Sequence, residues 1–308
     1  MLYLFAIFLG MDLKVWLGAF RLRTLPLALS CIAMGSFLAA SVHAFRTDVF
    51  LLCVLTTICL QILSNLANDY GDSVHGADSD VRKGPTRAVQ SGAITSDQMK
   101  KAVTVFVLLC LVSGIMLLRV SFGLNWTAIL FFFGLGILSI LAAIAYTVGR
   151  KPYGYLGLGD FSVLVFFGLV GVLGSYYLFT QNLSWKETLP ALSCGFFSIG
   201  VLNVNNVRDI ESDRLAGKFS IPVRIGRHNA VIYHWFLSVA GLTAALAYSL
   251  VTYRSLWQFL FLLSTPFFVR IAIAVGKKPS TELDPYLRQM AISTLLFVLL
   301  FGTGLILS

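Results

Sequence analysis

Residues 49–80 read VFLLCVLTTICLQILSNLANDYGDSVHGADSD, an apolar run that passes without a break into a stretch of carboxylates and carboxamides. About 20 predominantly apolar residues span the hydrocarbon core of a bilayer, and the run over 49–67 has that length. Comparable runs recur at 24–45, 101–119, 126–147, 160–181, 188–205, 230–251, 255–275 and 289–307. Nine predicted helices therefore fill most of the chain. The composition agrees: 57% of residues are hydrophobic and 12% charged, whereas a soluble domain is roughly a quarter charged. The expected class is an all-α integral membrane protein, with one polytopic domain over 24–308 and an N-terminal segment over 1–23. Within that segment MLYLFAIFLG is too short to span and lacks the basic n-region of a signal peptide, leaving Met11 as an alternative first residue.

Charge sets the expected orientation. With a cytoplasmic N-terminus, only Arg46, Arg119, Lys186 and Arg254 of the 23 Lys and Arg residues fall outside, as the positive-inside rule requires for nine spans. The C-terminus then lies on the opposite side of the cell inner membrane. The net charge of +9 is scattered between hydrophobic runs and forms no exposed stripe, so nucleic acid is not an expected partner. No obligatory protein partner is expected either. Cys31, Cys53, Cys59, Cys110 and Cys194 all fall inside predicted spans with no C-x-x-C pair, which argues against a disulfide or a zinc site.

Seven of the 14 acidic residues sit in two short stretches: Asp69, Asp72, Asp78 and Asp80 in the first, and Asp209, Glu211 and Asp213 in NVNNVRDIESDRLAGK over 203–218. If helical geometry persists, Asn65, Asp69 and Asp72 share one face with Asn68 beside them, and Asn205, Asp209 and Asp213 share another. Asp and Asn also cap helix ends, but a repeated cluster at two helix ends on one side of the membrane points to an oxygen-rich site for a hard cation. Magnesium favours such oxygens and commonly bridges carboxylates and phosphates. Basic residues stand near both clusters: Arg82, Lys83 and Arg87 in the first loop, Arg208, Arg214 and Lys218 in the second. A third inner loop, AYTVGRKPYGYLGLGD over 145–160, adds Tyr146, Arg150, Lys151, Tyr153 and Tyr155. Cations so placed suit the phosphate oxygens that magnesium leaves free, making a diphosphate site the favoured reading.

These residues resemble the motifs of the UbiA-type membrane prenyltransferases: N-D-Y-x-D at 68–72, N-N-x-R-D-x-x-x-D at 205–213, and the step from Tyr146 to Arg150. LRTLPLA at 22–28, QILSNLANDYGD at 61–72 and LNVNNVRDIESDRLAGK at 202–218 are similar to the branch that prenylates 1,4-dihydroxy-2-naphthoate in menaquinone synthesis. The resemblance implies a nine-helix bundle around a central cavity under a cytoplasmic polar cap. It also implies magnesium-assisted diphosphate binding by Asn68, Asp69, Asp72, Asp209 and Asp213. The family's Tyr-x-x-x-Lys step corresponds to Tyr146 with either Arg150 or Lys151. A further motif Asp found in many relatives is replaced here by Gly76, with Asp78 and Asp80 as the alternatives.

The implied reaction joins a polyprenyl diphosphate to an aromatic acceptor, with carbon dioxide lost when the acceptor is dihydroxynaphthoate. Tyr146, Tyr153 and Phe161 are candidates to face an allylic cation, and Asp160 is a candidate N-cap or substrate contact. Another acceptor, such as 4-hydroxybenzoate, is the nearest alternative. A secondary transporter fits less well, since its site is expected near the membrane centre at broken helices. Phosphatidyltransferases carry a D-G-x-x-A-R signature that is missing here.

Overall fold

The computed structural model describes residues 13–75 and 86–308. Among these residues nine helices are long and apolar enough to cross a membrane: α1 (Leu13–Ala40), α2 (Thr47–Val74), α3 (Ser96–Phe122), α4 (Trp126–Ala145), α5 (Gly159–Thr180), α6 (Trp185–Arg208), α7 (Ile221–Val251), α8 (Leu256–Lys277) and α9 (Asp284–Ile306). No strand occurs among the described residues.

Local chemistry accounts for many of the helix ends. Thr95 and Gln98 form a reciprocal capping box at the start of α3, and the Asn125 side chain accepts from the Ala128 N–H at the start of α4. Prolines stand in the first turn of α7 and α9, and in the first turn of the regular α-helical part of α8, Thr265–Lys277, positions that tolerate the missing N–H.

Four spans depart from regular α-helix over more than one turn or at an interior break, and α6 opens with the single 3-10 turn Trp185–Glu187. The first is broken at Arg21, whose φ is +48°; the helix Leu13–Phe20 ends there and a 3-10 turn, Leu22–Thr24, leads into Leu25–Ala40. The expected start at residue 24 misses the helix Leu13–Phe20, whose Trp16 and Ala19 are buried. Its apolar stretch alone is too short to span, so length gave no sign of it. α5 runs as a π-helix over Leu164–Gly174, α7 kinks at Gly226, and α8 opens with the 3-10 stretch Leu256–Ser264.

α6 is the central element. It packs against α5, α7 and α9, and its small residues permit close approach: a Cβ on Gly168 of α5 would lie 3.0 Å from the Gly195 Cα of α6. On its other face Phe197 stacks on Phe268 at 4.2 Å, with Phe297 edge-on to Phe197 at 4.8 Å. α2 and α3 pair on the far side of the bundle, and α4 is the least buried span. Between these halves α1 to α6, with Leu287 of α9, line an open-sided central cavity of about 1010 Å³.

Candidate active site

The cavity has one polar end and otherwise mainly apolar walls, with Thr56, Thr57, Ser139, Ser175 and Ser198 among them. Its polar end is lined by Asn65, Asn68, Asp69, Asp72, Arg87, Tyr146, Tyr153, Asn205, Arg208 and Lys218, joined by Arg21, Arg23 and Thr24 from the break in α1. Leu111, Ile115, Phe133, Ile137, Phe166 and Val170 continue the wall along α3, α4 and α5.

The first acidic motif is helical throughout, because α2 runs on to Val74. Asn65, Asp69 and Asp72 are all buried on its inner face, as the i, i+4, i+7 spacing predicts. Asp72 forms an ion pair with Arg87 and accepts from the Tyr155 hydroxyl at 2.8 Å. Asp69 accepts from the backbone N–H groups of Ala88 and Val89 at 3.3 and 3.5 Å, which draws the loop after the motif over the helix end. Asn68 shares its side-chain oxygen with the Thr147 hydroxyl at 3.2 Å. Asn65 is engaged within the fold: its amide donates to the Phe20 carbonyl at 2.9 Å and the Thr24 hydroxyl at 3.1 Å, so it splints the broken first span.

The second motif is not one continuous helical face. α6 ends at Arg208, Asp209 has φ −100° and ψ 12°, and a short helix, Ile210–Leu215, follows. The break has a visible cause. The Arg208 guanidinium folds back and donates to both Asp209 oxygens at 2.9 and 2.7 Å, and to the Asn205 side-chain oxygen at 2.9 Å. Asp213 pairs with Lys218 at 3.5 Å. Asp209 and Asp213 are buried but do not line the cavity; their partners Arg208 and Lys218 do.

The electrostatics follow from burial among charges. Burial pushes the Asp213 carboxyl up to about 6; Lys218 opposes this and Asp209 and Asp72 add to it. Burial alone would lower Lys218, but Asp213 and Asp72 hold its ammonium above the ordinary lysine range. Lys218 also lies over the Tyr155 ring at 5.9 Å. Tyr146 is pushed up to about 12 by burial, so its phenol stays protonated.

Other expected residues are placed differently. Arg150 and Lys151 are exposed and take no part in the cavity wall, so the cation beside Tyr146 is Lys218, about 70 residues further on. Arg82, Lys83, Asp78 and Asp80 lie outside the described residues. Phe161 is 68% exposed, whereas Tyr146 and Tyr153 line the cavity. Asp160 accepts from the Tyr233 hydroxyl at 2.9 Å and lies outside the wall. The roles of Tyr155 and Thr147 as supports for the first motif had no periodic signal in sequence, since both sit in an irregular loop.

The donor set fits a hard cation. All the motif side chains present oxygen, and the buried Asp213 Oδ2 has no hydrogen-bond partner. Among the described residues no three Asp, Glu, His or Cys side chains converge closely enough to hold a metal alone. The remaining ligands would be amide, water and phosphate oxygens, which is magnesium's ordinary habit.

A sequence profile described as the UbiA prenyltransferase family matches residues 28–304. A 1,4-dihydroxy-2-naphthoate octaprenyltransferase of Haemophilus influenzae is 46% identical over 298 residues, 96% of each chain. The protein of the same description from Escherichia coli is 45% identical over 296 residues, again 96% of each. Among solved structures, a UbiA homolog from Aeropyrum pernix K1 superposes with a TM-score of 0.69 at 17% identity, over 93% of this chain and 98% of that one. A UbiA homolog from Archaeoglobus fulgidus bound to DMAPP and Mg2+ gives 0.66 at 16% identity, over 94% and 98%. At these identities the two structures speak for the fold alone.

Proposed function

Because the chain belongs to the UbiA prenyltransferase family and is a polyprenyltransferase, we propose that it moves a polyprenyl group from polyprenyl diphosphate to 1,4-dihydroxy-2-naphthoate. Carbon dioxide is lost and demethylmenaquinol forms in menaquinone biosynthesis. The acceptor is supported by the two bacterial relatives of that description, which this chain matches nearly end to end. The observation that carries the chemistry is the convergence of Asp69, Asp72, Arg87, Asn205, Arg208 and Lys218 on one end of a cavity whose other walls are mainly apolar.

In this reading Asn68, Asp69, Asp72, Asp209 and Asp213 hold magnesium, which when bound supplies Lewis-acid neutralisation of the leaving diphosphate. The chain's own cations do the remaining electrostatic work. Arg87 and Lys218, held ready by Asp72 and Asp213, donate to phosphate oxygens; a preorganised donor of this kind acts most strongly where water is excluded. Tyr155 keeps Asp72 oriented while Arg87 turns to substrate. The apolar walls of α3, α4 and α5 take up the isoprenoid tail, which passes from lipid to a wall of similar polarity and is held there by packing contacts. Tyr146 and Tyr153 stand edge to face at 5.4 Å in the polar end of the cavity, where aromatic faces stabilise an allylic cation.

The bond changes balance. The allylic carbon–oxygen bond breaks with its electrons leaving on diphosphate, and the ring carbon bearing the carboxylate attacks the allylic carbon. The carbon–carboxylate bond then breaks and returns its electron pair to the ring as carbon dioxide departs. The reading also sets the N-terminus and polar cap on the cytoplasmic side of the cell inner membrane.

Product formation in washed membranes tests it, with magnesium and a polyprenyl diphosphate supplied and 1,4-dihydroxy-2-naphthoate and 4-hydroxybenzoate offered in parallel. Prenylated naphthoquinol with release of carbon dioxide is the expected result. Product from hydroxybenzoate alone reassigns the acceptor.

A further inference from the structure

Asp284, the first residue of α9, lies far in sequence from both acidic motifs and outside the cavity wall. Its two carboxylate oxygens nevertheless tie the site together. Oδ1 accepts from Arg208 at 2.5 Å and Oδ2 accepts from Arg23 at 3.0 Å. Three elements meet at this one carboxylate: the break in α1, the end of α6 and the start of α9. Its position in the first turn of α9 also sets the negative charge at the favourable end of the helix dipole.

Arg208 shows what the bridge is for. Its side chain is 2% exposed and its donors are shared among Asp209, Asn205 and Asp284. Both Asn205 and Asp209 therefore owe their orientation to a guanidinium whose own position is set by Asp284. If Asp209 gave an oxygen to a cation with no second carboxylate at hand, Arg208 would be left buried and unpaired, a strongly unfavourable state. Asp284 supplies a standing counter-charge, so that Asp209 is free to exchange partners.

We propose that Asp284 is a positioning residue for the second acidic motif, holding Arg208 so that Asn205 and Asp209 stay aimed and Asp209 can pass from Arg208 to a divalent cation. This rests on the reading of that motif as a magnesium site.

The test is manganese binding to the full-length protein in detergent, followed by electron paramagnetic resonance with inorganic diphosphate present to supply the phosphate ligands, beside the magnesium dependence of turnover. Residues that orient metal ligands typically change affinity by about 10–100-fold. D284N should weaken manganese binding by about tenfold at the low end of that range and raise the half-activating magnesium concentration by the same factor. At saturating magnesium its kcat should stay within about threefold of the original. D284E, which keeps the charge but displaces it by one methylene, should weaken binding by about threefold. Unchanged manganese affinity in folded D284N overturns the proposal. Should D284N fail to accumulate, unchanged affinity in D284E does the same. If the unsubstituted protein binds no manganese, the magnesium reading of the motifs falls and this inference falls with it.

Discussion

Asp69 and Asp209 occupy equivalent places in the two motifs, yet the fold treats them differently. Asp69 receives two backbone N–H groups from the following loop, whereas Asp209 is gripped by a side chain that can let go. In the proposed reaction both are needed. Asp69→Ala and Asp209→Ala should each lower kcat by at least about a hundredfold, with membrane insertion unchanged by extraction and immunoblot; near-normal turnover in either would remove the metal-site argument. Gly71 lies between the two first-motif acids and has a different duty. A Cβ there would stand 2.6 Å from the Thr147 carbonyl carbon and oxygen, so only glycine lets α2 lie against the loop that carries Tyr146. Gly71→Ala should cost about 1–3 kcal/mol through overpacking, seen as a lower thermal unfolding midpoint in detergent.

At the scale of elements, two of the irregular helices, α1 and α5, help to build the cavity. α1 breaks at Arg21 and α5 unwinds into a π-helix, and both bear on the central space. The π-helical stretch contains Gly168, which meets the backbone of α6 at Ala191 and Gly195. In a bilayer such contacts rest on close backbone approach, because lipid offers no hydrophobic gain from helix association. Gly168→Leu is expected to destabilise the bundle by about 1–3 kcal/mol, while Gly134→Ala on α4, where an added Cβ meets nothing within 4 Å, should shift stability by no more than about 1 kcal/mol. Thermal unfolding of the two variants side by side measures the difference. Equal midpoints would mean that the α5–α6 seam carries little of the stability.

Over the whole molecule, the proposed orientation sets the polar cap on the cytoplasmic side and, with nine candidate spans among the described residues, puts the C-terminus on the opposite side of the membrane from Leu13. All five cysteines are free and buried, which makes single-cysteine reporters practical. A membrane-impermeant maleimide should label Ser308→Cys in spheroplasts, and Lys151→Cys only after the membrane is opened. The reverse pattern would invert the orientation. A chelator in excess should stop turnover in membranes, and added magnesium should restore it; full activity without divalent cations would exclude the proposed mechanism.

The nine spans were legible in the linear sequence because bilayer thickness imposes a length on each helix locally, and no distant residue has to be known to count to 20. The first motif was legible for a similar reason: Asn65, Asp69 and Asp72 lie on an unbroken helix, where spacing alone fixes the face. The second motif shows where that logic stops. Its periodic face assumed a continuous helix, but Arg208 turns back on Asp209 and ends α6, an outcome held in place by Asp284, 76 residues beyond Arg208. Likewise the sequence places a cation within a few residues of Tyr146, whereas the one whose charge acts on Tyr146 in the fold is Lys218. Sequence by itself determined the membrane class, the number of spans and which segments are polar. Tertiary structure alone decided which charges pair, because pairing depends on distances between helices that adjacency in the chain does not encode.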